Sequence, residues 1–228
     1  MSVGGRPPRK RSAQIFCGAV AGPLFVTAFT AIGATRRGYE WQRYPVSSLA
    51  IGRQAWRQRA NFILAGVLYS CAAAGLGRSD RWRIGPRAVP ALVAGVGIGL
   101  IGSGVFVSDY VGDLPSEGRE ERNRRPADAA LTRPTRAGRM HDLCGIPVFV
   151  GIPIAGLASA ATAVRSRDYR WACYSAGSST VMVGSLVLFV AAIRGQPRLR
   201  GKSGILQRIS IATGLGWLSS LSLRGLSR

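Results

Sequence analysis

Histidine and acidic side chains are scarce in this sequence. It contains one histidine, His141, and ten Asp and Glu residues against 31 Lys and Arg residues. A catalytic zinc ion usually takes three protein ligands, most often histidines. A single histidine does not supply such a set, so we expect neither a metal site nor a cofactor.

The cysteines also lack a recognisable pattern. Cys17, Cys71, Cys144 and Cys173 lie inside or at the edges of apolar stretches, and none belongs to a CxxC pair. This distribution gives no sign of a disulfide framework or a zinc site. A free cysteine inside an apolar stretch behaves as a small hydrophobic residue, so we interpret all four as packing residues.

Charge is missing from the long apolar stretches. The formal net charge is +21, a value that first suggests a nucleic-acid-binding protein. Such a protein spreads its basic residues along one surface, whereas here they are confined to short segments between uncharged runs. The charge therefore indicates membrane topology, and we predict no nucleic-acid partner.

Six segments have the length and apolarity of transmembrane helices, which need about 20 mostly apolar residues. The segments are 15–34, 61–77, 89–107, 143–164, 171–193 and 205–223. The first five are uncharged, and the sixth contains only Arg208. Helices in soluble cores show a polar face, and strands show alternation. The sequence thus predicts an all-α polytopic membrane bundle of six transmembrane helices in residues 15–223, with a basic tail at 1–14 and a polar outer loop at 108–142.

The basic residues also predict an orientation. With the N-terminus inside, the inner segments carry 13 Lys and Arg residues in 36 positions, against 17 in 72 for the outer segments. Cytoplasmic loops are the more basic ones, so both termini are predicted to be cytoplasmic, in the plasma membrane. Residues 15–34 exceed the roughly 7–15 residues of a signal-peptide core, which favours a retained first helix.

Glycines are concentrated in the third predicted span. Gly95 and Gly99 have the four-residue spacing that lets a second helix come close. Packing inside the bundle is one interpretation of this face, and a homodimer formed through Gly95 and Gly99 is the other.

Three polar residues are predicted to lie at the outer membrane face. Ser47 is in the first outer loop, Asp109 follows the third span, and His141 precedes the fourth. A carboxylate beside an imidazole holds one tautomer, and a serine within reach would complete an arrangement for acyl transfer or lipid hydrolysis. The alternative is a polar clasp that joins helix ends. Both interpretations stay open at this point.

Several short motifs in order along the chain carry a family resemblance. They are the stretch 45–49 (PVSSL), Phe106 to Asp109, Thr135 through Gly138 to His141, and the stretch 204–208 (GILQR) with Trp217. Together they resemble the DUF998 membrane proteins from about residue 15 to 223. The resemblance implies a six-helix bundle of unknown biochemistry with Ser47, Asp109 and His141 at the family's Ser, Asp and His positions.

The function indicated is that of an integral membrane protein whose partners are the bilayer and a lipid or small-molecule ligand. One alternative is a membrane-embedded hydrolase or transferase that acts on lipid through Ser47, Asp109 and His141. A transporter is a further alternative, although no charged residue lies in the middle of a span, which argues against ion or proton coupling. The residues alone leave open whether the protein is an enzyme.

Overall fold

A computed structural model describes residues 9–79, 85–109 and 135–226 of the chain. In that part the structure is helical. The helices are α1 (Arg9–Thr35), α2 (Ala55–Leu76), α3 (Ala88–Val105), α4 (Arg136–Ile146), α5 (Ile152–Arg165), α6 (Tyr169–Ile193) and α7 (Ser203–Leu226). A π-helical turn at Pro147–Gly151 joins α4 to α5, and 3₁₀ turns occupy Val46–Ala50 and Pro197–Leu199.

Five of these elements are long and apolar enough to cross a membrane. They are α1, α2, α3, the continuous Arg136–Arg165 unit formed by α4, the π turn and α5, and α6. A polytopic membrane bundle is therefore supported. The predicted count of six spans is not confirmed, because α7 is not among these five.

The composition of α7 explains why it stands apart. It contains five serines together with Gln207, Arg208 and Arg224, which lower its hydropathy. Half of its residues are nevertheless buried against the other helices, including Gln207 and Ser210. A helix that faces protein does not need the apolarity of a helix that faces lipid. By contrast, few residues of α6 are buried, and about half are exposed on the bundle surface.

Several helices extend beyond the predicted spans. α1 begins at Arg9, so the tail predicted at 1–14 is partly helical. α2 begins at Ala55, six residues before the predicted span, because polar residues such as Gln58 are buried there. α4 begins at Arg136, inside the predicted outer loop 108–142. Residues 110–134 of that loop lie outside the described residues.

The helices form a ring that follows the order of the chain. Each packs against the next in sequence, and α7 closes the ring by packing against α1. Gly225 near the end of α7 lies against Leu76 and Ile15, which shows that both described ends of the chain are at one face of the bundle. Inside the ring the largest fully buried side chains include Trp217, Tyr69 and Phe25.

The glycines of α3 bring its backbone close to both neighbours. A Cβ at Gly97 would lie 2.7 Å from the carbonyl oxygen of Gly66 in α2. On the other side, a Cβ at Gly99 would collide with the carbonyl oxygen of Cys144 in α4, and Gly95 faces Pro147. The predicted small-residue face thus packs inside the bundle. The homodimer through Gly95 and Gly99 stays a prediction, and the face that it needs is occupied within the chain.

Candidate functional site

The buried polar side chains other than serine lie near the end of the bundle opposite the chain ends. This end is formed by the loop after α1, the starts of α2, α4 and α7, and the end of α3. Its buried polar residues are Arg36, Ser48, Gln58, Asn61, Ser103, Ser108, His141 and Gln207. We call this end the polar face of the bundle. All three predicted site residues belong to its loops or helix ends.

His141 holds the end of α3. Its Nδ1 atom lies 3.1 Å from the carbonyl oxygen of Ser103 and 3.1 Å from that of Phe106. Carbonyl oxygens only accept hydrogen bonds, so Nδ1 is the protonated nitrogen in this arrangement. The ring also packs edge-on against Phe62 of α2, with centroids 6.0 Å apart. The imidazole therefore joins α2, α3 and α4.

Arg59 completes the cap of α3. Its Nε atom donates to the carbonyl of Gly104 at 2.8 Å, and Nη2 donates to that of Val105 at 3.0 Å. The last carbonyl groups of a helix have no partner within the helix. Here the four carbonyls of residues 103–106 accept from His141 and Arg59, so this end of α3 is fixed by side chains from two other helices.

Asp109 holds the start of α4. Its Oδ2 atom accepts from the backbone N–H of Thr135 at 2.8 Å, and Oδ1 accepts from the Thr135 hydroxyl at 2.8 Å. Thr135 is the N-cap of α4, since its Oγ1 accepts from the N–H of Gly138 at 2.9 Å. A Cβ at Gly138 would collide with the Asp109 carboxylate. The family motif Thr135…Gly138 thus has a direct structural explanation.

We call Asp109, Thr135, Gly138 and His141, with the end of α3, the α3–α4 clasp. The sequence-based suggestion that Asp109 orients His141 does not match it. Among the described residues, no hydrogen bond or ion pair joins the two side chains, because Nδ1 is used by carbonyls and the carboxylate by Thr135. The polar clasp proposed from the sequence therefore describes the geometry of these two residues.

Ser47 lies in the 3₁₀ turn Val46–Ala50, where it is half-buried. Its hydroxyl makes no hydrogen bond to another described residue, and Pro45, not a serine, occupies the N-cap position of the turn. The structure thus shows a contact neither from Ser47 to Asp109 nor from Ser47 to His141. A catalytic role for Ser47, Asp109 and His141 stays a prediction.

The 3₁₀ turn is held by a buried arginine. Arg36, only 7% exposed, donates from Nη1 to the carbonyls of Ser48 and Leu49 and from Nη2 to that of Ile51. A buried guanidinium is costly unless its donors are satisfied. Three carbonyl acceptors in one turn meet that need, so Arg36 fixes the shape of the first loop.

The start of α7 anchors the same loop. Arg208 donates to the carbonyls of Trp41 and Tyr44, and the backbone N–H of Val46 donates to Oε1 of Gln207 at 2.7 Å. Gly204 is required because a Cβ there would lie within 2.5 Å of the Tyr44 carbonyl oxygen. These contacts explain why the motifs at 45–49 and 204–208 occur together: one is the loop, and the other is its anchor.

Tyr39 connects the loop to Arg208. Its hydroxyl donates to the carbonyls of Tyr44 or Pro45 and accepts from Nη2 of Arg208. Burial raises the pKa of this phenol above its ordinary value, although the nearby Arg208 acts in the opposite direction. The phenol therefore remains a neutral hydrogen-bond donor at physiological pH.

Two buried amides in α2 were missed by sequence reasoning. Asn61 donates from Nδ2 to the carbonyl of Phe25 in α1 at 3.1 Å, and Gln58 is fully buried with Nε2 unpaired among the described residues. Their three-residue spacing places them on one face of the helix. That spacing next to an apolar run was the available signal.

A surface groove lies beside the anchored loop. Its volume is about 550 Å³, and its lining residues are Tyr39, Glu40, Trp41, Gln42, Arg43, Arg200 and Gly201. Arg200 is exposed, and the Trp41 indole is 51% exposed. The groove therefore offers a guanidinium and an aromatic ring to a ligand. In the described part of the chain, no cluster of three or more His, Cys, Asp or Glu side chains could hold a metal ion.

Comparison with known proteins assigns the chain to a family. The sequence model described as "Protein of unknown function (DUF998)" matches residues 19–224. The chain belongs to the DUF998 family. No curated protein and no solved structure matches it. This DUF998 protein shows that four of the short motifs form two clusters of contacts, the α3–α4 clasp and the anchored first loop.

Proposed function

We propose that this DUF998 protein is a non-enzymatic membrane protein that binds the polar headgroup of a lipid in the groove beside its first loop. The observation that carries the proposal is the groove itself, which combines Arg200, Trp41 and Gln42 at one end of the bundle. Guanidinium groups bind the phosphate oxygens of a headgroup, and indole rings favour the interface between water and hydrocarbon.

The rigidity of the groove supports binding. Arg208 fixes the carbonyl of Trp41, and the backbone N–H of Ile205 donates to the carbonyl of Gln42 at 3.0 Å. The loop shape therefore does not have to be ordered when a ligand arrives, and a preorganised site loses less conformational entropy on binding. Glu40, which also lines the groove, favours a headgroup that carries a hydroxyl or ammonium group as well as a phosphate.

The side of the membrane follows from the loop charges. We propose that the chain ends are cytoplasmic, in the plasma membrane, and that the groove faces outward, because the loops at the end with the chain termini are the more densely basic ones. A reporter that fluoresces only in the cytoplasm, fused after Arg228, should be bright. A dark fusion together with an active periplasmic or extracellular reporter would reverse the assigned sides.

The test of the groove compares two arginines on the same loop. The purified protein in neutral detergent is titrated with phosphatidylglycerol and with phosphatidylcholine, and bound lipids are counted by native mass spectrometry. Arg200→Gln should weaken retention of phosphatidylglycerol about tenfold, since a charge-assisted hydrogen bond contributes about 1.5–3 kcal/mol. Arg198→Gln is the matched control, because Arg198 is exposed nearby but does not line the groove. Equal losses in both variants would refute the proposal.

A further inference from the structure

A second, smaller cavity lies at the other face of the bundle, between the end of α2 and the start of α3. Its volume is about 170 Å³, and it is lined by Gly77, Arg78, Ser79, Gly85, Pro86 and Arg87, among others. This space is sufficient for a phosphate group. The cavity is on the face that carries both described chain ends, since Gly225 approaches Ser79 and Ile15.

Three guanidinium groups surround or adjoin this cavity. Arg78 and Arg87 line it, and Arg11 donates from Nη2 to the hydroxyl of Ser79 at 3.1 Å. The Nε atom of Arg11 is buried and has no partner among the described residues. Arg11 does not line the cavity, but its contact with Ser79 places a third positive charge beside it.

Arg78 is held in position from α1. Its Nη1 atom donates to Oε1 of Gln14 at 3.0 Å, an uncharged partner that leaves the positive charge uncompensated. No carboxylate in the described residues forms an ion pair with Arg11, Arg78 or Arg87. Within the described residues, the positive charge at this cavity is therefore not neutralised by an ion pair.

The start of α3 adds to the positive electrostatic potential at this cavity. Arg87 occupies its N-cap position and makes no side-chain cap, while the N–H of Val89 donates to the carbonyl of Pro86 at 2.9 Å and Pro90 has no N–H. The contribution of this helix end is therefore the partial positive charge of the macrodipole. Gly85 lets the backbone before α3 lie close to α5, because it has φ +115° and a Cβ there would lie 3.1 Å from Cα of Ser159.

We propose that this cavity binds a phosphate group through Arg78 and Arg87, with Arg11 and the start of α3 adding positive charge beside it. The phosphate belongs either to the headgroup of an anionic lipid in the adjacent leaflet or to a free phosphate ion. The shared chemistry is a tetrahedral oxyanion that accepts hydrogen bonds from guanidinium groups. This site is independent of the groove at Arg200, which lies at the opposite end of the bundle.

The experiment uses the full chain in neutral maltoside detergent. Binding is measured separately for phosphatidylglycerol, phosphatidylcholine and inorganic phosphate, by the shift in thermal unfolding midpoint and by native mass spectrometry. Phosphatidylglycerol should bind at least about tenfold more tightly than phosphatidylcholine if the lipid is the source. Saturable binding of inorganic phosphate alone identifies the free ion as the source.

Arginine variants test whether the lipid or the phosphate ion binds in the cavity. Arg87→Gln and Arg78→Gln should each weaken binding of the active ligand about tenfold. Arg87→Lys keeps the positive charge and should retain most of the binding. That result would show that the loss in Arg87→Gln comes from the missing charge and not from misfolding. Arg165→Gln is the matched control, because Arg165 is an exposed arginine at the end of α5 that does not line the cavity. Because phosphatidylglycerol is also expected to bind at Arg200, the lipid titrations of these variants are compared in an Arg200→Gln background, so that lipid in the groove does not contribute.

Two results would overturn the proposal. One is that neither phosphatidylglycerol nor inorganic phosphate binds better than phosphatidylcholine. The other is that Arg87→Gln and Arg78→Gln, with unfolding midpoints like that of the wild type, bind the ligand as tightly as Arg165→Gln does.

Discussion

Replacement of His141 by alanine should lower the unfolding free energy of the bundle, whether or not His141 has a catalytic role. The imidazole donates to the carbonyls of Ser103 and Phe106 and packs edge-on against Phe62. His141→Ala removes all three contacts at a position that is 9% exposed. The end of α3 then keeps only the two hydrogen bonds from Arg59.

The magnitude follows from those contacts. A buried carbonyl left without a donor costs about 1–3 kcal/mol, and an aromatic pair contributes about 0.5–1.5 kcal/mol. Water from the adjacent surface will satisfy part of the lost bonding, so we expect a loss of about 3 kcal/mol. His141→Asn keeps an N–H donor near the position of Nδ1, and its loss should be about 1 kcal/mol.

Equilibrium unfolding in mixed micelles, followed by tryptophan fluorescence, measures both variants. The order wild type, His141→Asn, His141→Ala in unfolding free energy would support the clasp. An alanine variant within about 0.5 kcal/mol of the wild type would refute it, because such a small change is typical of surface positions. A variant with asparagine that is stable but loses a cellular phenotype would instead favour the catalytic interpretation of His141.

Three further predictions follow from other contacts. Gly138→Ala should cost about 1–3 kcal/mol, because its Cβ collides with the Asp109 carboxylate. In an Asp109→Gly background, where there is no carboxylate to meet, the same substitution should leave the unfolding midpoint nearly unchanged. Gly204→Ala should displace the first loop from α7, and limited proteolysis should then cleave the chain near Trp41 faster. Gly216→Ala, where a Cβ meets open space, should leave the cleavage rate unchanged. The pKa of Asp168 is lowered by the hydrogen bond from the Trp171 backbone N–H and further by Arg224. Its stabilising contribution is therefore complete above the unfolded pKa of about 3.9 and is lost as pH falls through the lower folded pKa. Asp168→Asn should therefore reduce the pH dependence of the unfolding midpoint between about pH 3 and 5.

The sequence was a good guide to the helices because hydrocarbon imposes long apolar runs. The ranges 15–34, 89–107 and 171–193 each lie within or close to a helix of the structure. The last helix was harder to interpret, since its polarity is compensated by neighbours that the sequence does not reveal. Burial by other helices lets Gln207 and Ser210 occur in a segment that otherwise looks like a lipid-facing span.

The three predicted site residues lie at one face of the bundle, but the contacts among them were not predictable. Order along the chain brought Asp109 and His141 to neighbouring helix ends, and this much follows from topology. Which atoms they contact depends on the backbone carbonyls at the end of α3 and on the cap at Thr135. Backbone groups are the same whatever the side chain, so the sequence does not show which of them a side chain contacts. A clasp and a catalytic pair therefore have the same sequence pattern.

The ring of helices has a consequence for biosynthesis. The wall between α1 and α7 joins the first and the last of the described helices, so α1 cannot complete its packing until α7 has been synthesised. Until then Gly18 and Gly22, which approach Ser222 and Ser219, face lipid instead of their serine partners. A chain that ends before Ser203 would leave these two glycines without their serine partners.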